Sequence, residues 1–448
     1  MTDLVVEPQH KPLTGVVPVP SDKSITHRAL LLAAIAEGES VVVCPHMGED
    51  NRSTLAAIRA LGARVSEQGA ELRITGTGLL GLTAPAEPID CGNSGTTMRL
   101  LAGVLAAQRF RTVLIGDASL SRRPMARIVG PLRQRGARLE GALDPSRPGD
   151  VTAPLEIGPL PAPNVLSALA FESPIASAQV KSALLLSGLW ADGNTIVREP
   201  VVSRDHTERM LDGLGVPIER VGSVVSLDGH AFSGSLPAFS LTVPGDLSAA
   251  AFLLAAASLI PGSEIGVRAV GANPTRAGFV DALRLLGGRV ELAPERYELG
   301  EPIGAARAGF SELHGATLAG ELVARSIDEI PILSALAARA RGTTIIADAS
   351  ELRVKESDRL ACMAEVLRAF GVGVEETRSG LVIEGRPDGP LSAATVDCCG
   401  DHRIAMSAAV LALCADGPCR VLGVDAVATS FPRFAGTMRA LGASVRAV

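Results

Sequence analysis

Lys23, Arg28, Arg99, Lys181 and Arg403 stand at or just inside the beginnings of long apolar runs, where folding alone has no need of a cation. Six polar stretches introduce these runs: Ser21-Asp22-Lys23-Ser24, Asn93-Ser94-Gly95-Thr96-Thr97, Ser177-Ala178-Gln179, Gly245-Asp246-Leu247-Ser248, Ser326-Ile327-Asp328-Glu329 and Gly400-Asp401-His402-Arg403. Ser, Thr, Asn and Asp accept hydrogen bonds from the first backbone N–H groups of a helix, so capping accounts for these residue types. It does not account for the cations, which oppose the helix dipole at a cost of about a few tenths of a kcal/mol. N–H groups beside Lys or Arg are, however, what a phosphate or carboxylate ligand requires. One local rule is broken repeatedly at one structural place, and function is expected there.

Further cations lie between the runs. Ser121-Arg122-Arg123-Pro124-Met125 and Ser203-Arg204-Asp205-His206 each follow a predicted strand, and Arg353 to Arg359 opens a predicted helix. Alone, such a charged run reads as a solvated helix face. Within it, Lys355 and Arg359 are four apart and share a face, with Glu356 beside them. That cluster would hold a phosphate or carboxylate and keep one carboxylate for proton transfer. No Walker loop, dinucleotide fingerprint, HExxH or GxSxG is present, and Gly76, Gly78 and Gly81 do not make a nucleotide loop. Cys44, Cys91, Cys362, Cys398, Cys399, Cys414 and Cys419 form no CxxC pair and no zinc-like spacing. They suggest reduced thiols in a cytosol-like compartment.

The scaffold behind these residues repeats. A helix end, a Gly turn and a strand recur at Gly62, Gly136, Gly215, Gly287, Gly371 and Gly442, each glycine supplying a left-handed cap. A more apolar helix, a turn and another strand alternate with this element at 28–43, 98–115, 181–197, 248–267, 330–346 and 403–422. Six alternating copies give units of about 75 residues, each with two helices and several strands. Repetition alone is silent on function.

At 448 residues the chain is long enough for two domains. Composition, 47% hydrophobic and 20% charged, marks a soluble globular protein. Aromatics at 3% dictate an aliphatic core and argue against base-stacking surfaces. A net charge of −6 offers no general attraction to nucleic acid or an anionic membrane. The longest apolar run, Ala249 to Ile260, falls short of the roughly 20 residues that span a bilayer, and the N-terminus lacks the pattern of a signal peptide. A cytoplasmic protein is expected.

The stretches at 21–34 (SDKSITHRALLLAA), 92–101 (GNSGTTMRLL), 116–125 (GDASLSRRPM) and 177–188 (SAQVKSALLLSG) resemble motifs of the EPSP synthase family. So do 203–210 (SRDHTERM), 326–333 (SIDEIPIL), 351–360 (ELRVKESDRL) and 400–407 (GDHRIAMS), in the same order over essentially the whole chain. The resemblance implies an α/β (α+β) fold, a two-domain inside-out barrel of six βαβαββ repeats, three per domain. Residues 1–20 and 242–448 would form one domain and 21–241 the other, the chain crossing twice with the active site in the cleft. The implied reaction transfers the enolpyruvyl group of phosphoenolpyruvate to the 5-hydroxyl of shikimate 3-phosphate. No metal and no organic cofactor are implied, and the family precedent is a monomer.

Position by position, the resemblance assigns Lys23, Ser24, Arg28, Ser177, Ala178, Gln179, Arg204, Asp328 and Lys355 to shikimate 3-phosphate. It assigns Lys23, Gly95, Thr96, Arg123, Gln179, Glu356, Arg359, His402 and Arg403 to phosphoenolpyruvate. Lys23, Asp328 and Glu356 would move protons, with Asp328 taking the 5-OH proton and Glu356 near the methylene carbon. His27 and His206 are expected to be structural or supporting, and the start Gly245–Ser248 to mark a hinge. Glu351 and Thr429 stand where some relatives have Asn and Lys, putting one phosphate-facing contact at each in doubt. Gly95 implies room for the inhibitor glyphosate. The nearest alternative is the sister transferase acting on UDP-N-acetylglucosamine, but the region Ser119 to Met125 lacks the cysteine its mobile loop usually carries. A six-repeat anion-binding protein without catalysis would not need Asp328 and Glu356. A cyclase acting on RNA ends would need a nucleophilic His, for which only His402 is a candidate.

Overall fold

The computed structural model describes residues 2–161 and 165–448. The alternating repeats become six four-stranded sheets, each with a parallel pair at one edge and two antiparallel neighbours beyond it. In the first sheet Ser240–Thr242 runs parallel to Glu39–Val43, followed by Glu71–Thr75 and Arg64–Gln68. The last sheet is closed by the N-terminal strand Leu4–Val6, antiparallel to both Cys419–Leu422 and Val445–Ala447. All six turn glycines have positive φ, between 76° and 102°, as the left-handed cap demands.

Two compact units result. A split unit comprises Met1–Pro20, Pro244–Tyr297 and Pro302–Val448, and an inserted unit comprises Ser21–Val243 with Glu298–Glu301. The second crossing falls two residues later than expected, because Val243 still donates its N–H to Val43 at the end of the first sheet. The turn Glu298–Glu301 was not anticipated. It groups with the inserted unit, where Glu301 pairs with buried His206 at 2.8 Å. The chain therefore leaves the split unit once more than the resemblance implied.

Each unit has its own core. The apolar helices Lys23–Ile35, Gly95–Leu105 and Ala178–Gly188 are buried on nearly every face in the inserted unit. Leu247–Leu259, Ile330–Ala337 and His402–Ala412 are their counterparts in the split unit. All-round apolarity fits such burial, since no face needs to meet water. At Gly103 a Cβ would lie 2.3 Å from Ala183 O, so glycine lets the second and third helices touch. That contact brings their N-termini together. Phe252, Phe431 and Phe434, packed edge to face, supply the split unit with aromatic mass that the fully buried core of the inserted unit lacks.

Candidate functional site

Five of the six helix starts are capped by the side chain the sequence offered. Asp22 accepts from Ile25 N–H, Ser94 from Thr97, Ser177 from Val180, Asp246 from Ser248 and Asp401 from Arg403. The exception is Ser326, whose hydroxyl donates back to Leu322 O, while Ile327–Glu329 forms a short 3-10 turn leading into the helix. That turn carries Asp328.

In the inserted unit Lys23 Nζ lies 2.9 Å from Asp50, and Asn51 donates to Lys23 O. Arg28 is buried and donates to Thr207 Oγ1 at 2.6 Å, Ser182 Oγ at 2.7 Å and Ser24 O at 2.9 Å. Burial pulls its guanidinium down to about 10, against Glu208 and Glu301. Arg99 donates to Gln179 Oε1 at 2.6 Å, and Gln179 donates to Thr96 Oγ1 at 3.0 Å, so the second and third helix starts share one hydrogen-bonded chain. Arg123 donates to Asn93 at 2.6 Å. Its NH1 would lie 3.3 Å from a Cβ at Gly95, and Arg99 NH1 would lie 2.8 Å away. Lys23, Ser24, Arg28, Gly95, Thr96, Arg123, Ser177, Ala178, Gln179 and Arg204 thus all belong to this unit.

His27 and Thr54 share a 2.7 Å hydrogen bond that continues through Thr97 to Ser94, at 2.7 and 2.8 Å. Burial drives the His27 imidazole down to about 3, so it is neutral and structural at any working pH. Lys181, named above among the cations of the helix starts suited to an anionic ligand, is buried against Glu199 and Glu208.

In the split unit Asp328 is the meeting point. Arg359 NH1 lies 3.2 Å from it, Lys355 Nζ and Arg276 NH1 at 3.9 Å, and Arg403 NH2 at 4.0 Å. Arg403 also donates to the Asp328 carbonyl at 3.0 Å. Arg359 is fully buried and reaches two more carboxylates, Glu356 at 2.7 Å and Asp401 at 2.8 Å. Burial alone would lower its pKa, but Asp401, Glu356 and Asp328 outweigh that and raise it. Burial pushes the Asp401 carboxyl up, and Arg359 with His402 more than reverses the effect. A carboxylate with four cations in reach is suited to orienting a hydroxyl and taking its proton.

The segment carrying this cluster differs from the expectation. Residues 353–359 do not open a helix. Ser350–Val354 is a short 3-10 turn, Lys355 is extended, and the helix Arg359–Ala369 begins only after its cap Asp358, which accepts from Ala361 N–H. Capping by Asp358 overrides the four-residue spacing, so Lys355 and Arg359 reach Asp328 from a loop and a helix start rather than from one helix face.

Three groups were missed. Arg276, in Asn273-Pro274-Thr275-Arg276, is buried, donates at 2.8 Å to both Asp246 and Ser248, and reaches Asp328. Burial pushes the Asp246 carboxyl up, yet Arg276 and Arg403 hold it below its usual range. The start Gly245–Ser248, for which only a hinge was expected, is therefore part of the charged cluster. Glu329 accepts from Ser248 and lies 3.6 Å from Arg403. Asp50, the partner of Lys23, was likewise overlooked. An isolated Arg in a Pro-containing loop carries no periodic signal that would have found Arg276. Of the doubtful positions, Thr429 faces His402 Nδ1 at 3.4 Å and Glu351 lies 3.7 Å from Lys355. Among the described residues no group of three or more His, Cys, Asp or Glu is placed to hold a metal ion.

Comparison with known proteins supplies the context. A family model described as EPSP synthase (3-phosphoshikimate 1-carboxyvinyltransferase) matches residues 8–438. A 3-phosphoshikimate 1-carboxyvinyltransferase of Geobacter sulfurreducens is 49% identical over 423 residues, 94% of this chain and 95% of the relative. One from Brevibacillus brevis is 44% identical over 426 residues, 95% and 97% of the two chains. The solved structure of EPSP synthase from Acinetobacter baumannii superposes with a TM-score of 0.87 at 40% identity, covering 100% of both chains.

Proposed function

The chain belongs to the EPSP synthase family, and on that premise we propose how its own side chains divide the family reaction. The reaction transfers the enolpyruvyl group of phosphoenolpyruvate to the 5-hydroxyl of shikimate 3-phosphate and releases phosphate. The two substrates bring phosphates and carboxylates, which gives the cations at the helix starts their purpose. The inserted unit contributes Lys23, Ser24, Arg28, Ser177, Gln179 and Arg204 toward shikimate 3-phosphate. Gly95, Thr96 and Arg123 of the same unit take phosphoenolpyruvate, with Lys23 and Gln179 serving both. The split unit contributes Asp328 and Lys355 toward the ring, and Glu356, Arg359, His402 and Arg403 toward phosphoenolpyruvate.

Glu356 delivers a proton to the methylene carbon, leaving oxocarbenium character at C2, and Asp328 accepts the 5-OH proton as the oxygen attacks. The tetrahedral adduct then loses a methyl proton and phosphate, the acid and base roles reversing. Arginines fixed before the substrates arrive orient the reactants and stabilise charge without reorganisation. The observation that carries this division is the cage of four cations around Asp328. No helix among the described residues is long and apolar enough to cross a membrane, and all seven cysteines are free thiols. These facts support a cytoplasmic enzyme, which we take to act as a monomer. The test is phosphate release by purified protein, expected only when shikimate 3-phosphate and phosphoenolpyruvate are both present. Release with UDP-N-acetylglucosamine in place of shikimate 3-phosphate would overturn the reading.

A further inference from the structure

Beneath the groups assigned to shikimate 3-phosphate, the inserted unit buries an ion triad. The side chains of Lys181, Glu199 and Glu208 are 2%, 2% and 0% exposed. Lys181 Nζ lies 2.7 Å from Glu199 Oε2 and 2.8 Å from Glu208 Oε1, and donates to Ser203 O at 3.3 Å. Burial alone would lower the Lys181 pKa, but Glu208 and Glu199 outweigh it and raise it. Buried ion pairs are poor stabilisers, because apolar residues of the same volume often serve as well. The triad is better explained by what it holds.

Glu199 Oε1 accepts from the backbone N–H of Ser177 at 2.8 Å and from Ser203 Oγ at 2.7 Å, and its Oε2 accepts from Ser203 N–H at 3.4 Å. One carboxylate therefore ties the cap of the helix Ala178–Gly188 to the loop that carries Arg204. Lys181 fastens the same loop through the Ser203 carbonyl. Glu208 lies on the helix His206–Gly213 beside Thr207, and Lys181 precedes Ser182; Thr207 and Ser182 are the two hydroxyls that receive Arg28. The Ser177 cap, the Ser203-Arg204 loop and the Arg28 side chain are thus braced by the triad or by its immediate neighbours.

We infer that Lys181, Glu199 and Glu208 are positioning residues that set the affinity for shikimate 3-phosphate by fixing Ser177, Ser203-Arg204 and Arg28 relative to one another. The inference rests on the assignment of those residues to that substrate. Full-length enzyme carrying Glu199→Gln, and the charge-free triple variant Lys181→Met, Glu199→Gln and Glu208→Gln, is titrated calorimetrically with shikimate 3-phosphate alone and assayed for phosphate release. Arg204→Ala reports on the underlying assignment. We expect both triad variants to lose about tenfold or more in shikimate 3-phosphate affinity, with KM for phosphoenolpyruvate and kcat within about threefold of the parent. The charge-free triple variant leaves no unpaired charge in the triad, Glu208 included, and so separates positioning from misfolding. If Arg204→Ala weakens binding while both triad variants do not, the inference fails and the assignment stands. It also fails if affinity, kcat and melting temperature all fall together while the phosphoenolpyruvate KM rises. If Arg204→Ala leaves affinity unchanged, the assignment itself fails and the inference with it.

Discussion

Asp328→Asn separates catalysis from stability with unusual clarity. The carboxylate lies 3.2 Å from Arg359 NH1. A charge pair at that distance is worth about 5 kcal/mol gross at an effective dielectric near 20. Yet each cation in reach keeps another carboxylate: Arg359 has Asp401 and Glu356, Arg276 has Asp246, Arg403 has Glu329 and Lys355 has Glu351. With Glu356 in its proton-donating form, the five other carboxylates of these pairs still face four cations, so removing one balances the charges instead of creating an excess of positive. The melting temperature should therefore stay within about 4 °C of the parent. Turnover should fall by about 10²- to 10⁴-fold, the usual contribution of a general base. The assay is phosphate release at saturating concentrations of both substrates, beside a thermal melt. Turnover above about a tenth of the parent would refute the proton-accepting role. A melting temperature lowered by more than about 10 °C would refute the charge count.

Glu356→Gln keeps the shape of the side chain at Arg359 but cannot deliver and recover a proton, so phosphate release should drop by about 10²-fold or more; near-normal turnover would move the role elsewhere. Gly95→Ala places a Cβ 2.8 Å from Arg99 NH1 and 3.3 Å from Arg123 NH1. KM for phosphoenolpyruvate should rise by about tenfold and inhibition by glyphosate should weaken, because one of the two guanidinium groups must shift. Steady-state kinetics with an inhibitor series checks both, and an unchanged KM would contradict the crowding. His27 is neutral in the folded protein down to about pH 3, whereas the unfolded chain protonates near 6.5. The unfolded state binds the extra proton, so stability is lost as pH falls through that window, by about 1.4 kcal/mol per pH unit. The stability gap between parent and His27→Asn should be about 2 kcal/mol smaller at pH 5 than at neutrality, measured by urea unfolding. Parallel curves would show that His27 is not the source.

The repeats were legible because their signals are local: a positive-φ glycine after each amphipathic helix and an apolar run after each polar start. The helix starts were legible for the same reason, since Asp22, Ser94, Ser177, Asp246 and Asp401 cap within three residues of themselves. Reasoning by periodicity failed at Lys355 and Arg359, where the cap Asp358 sets the helix boundary and a loop provides the approach. Long-range pairing left no trace either. Arg276 is 52 residues from Asp328, and Glu301 is 95 residues from His206, yet each pair meets inside one unit. Nothing in the composition around Glu298 to Glu301 marks it as joining a unit that the chain had left at Pro244.

Similar helix starts are put to different uses, and the atoms around each guanidinium show which. Arg28 donates only to neutral oxygens, Thr207 Oγ1, Ser182 Oγ and Ser24 O, so its direct partners do not cancel its charge. An incoming phosphate or carboxylate meets that charge tempered only at longer range, by Glu208, Glu301 and Asp22. Arg359 donates to Asp401, Glu356 and Asp328, three carboxylates that together exceed its own charge. Those carboxylates hold its charge before substrate arrives, so Arg359 meets phosphoenolpyruvate as an ordered donor more than as a bare charge. What Arg359 provides is order, because its planar fork holds two carboxylates in fixed relation to a third. Asp328 and Glu356, the groups proposed to move protons, are among those three. One residue type thus serves as a bare charge or as an ordered donor, according to whether hydroxyls or carboxylates surround it.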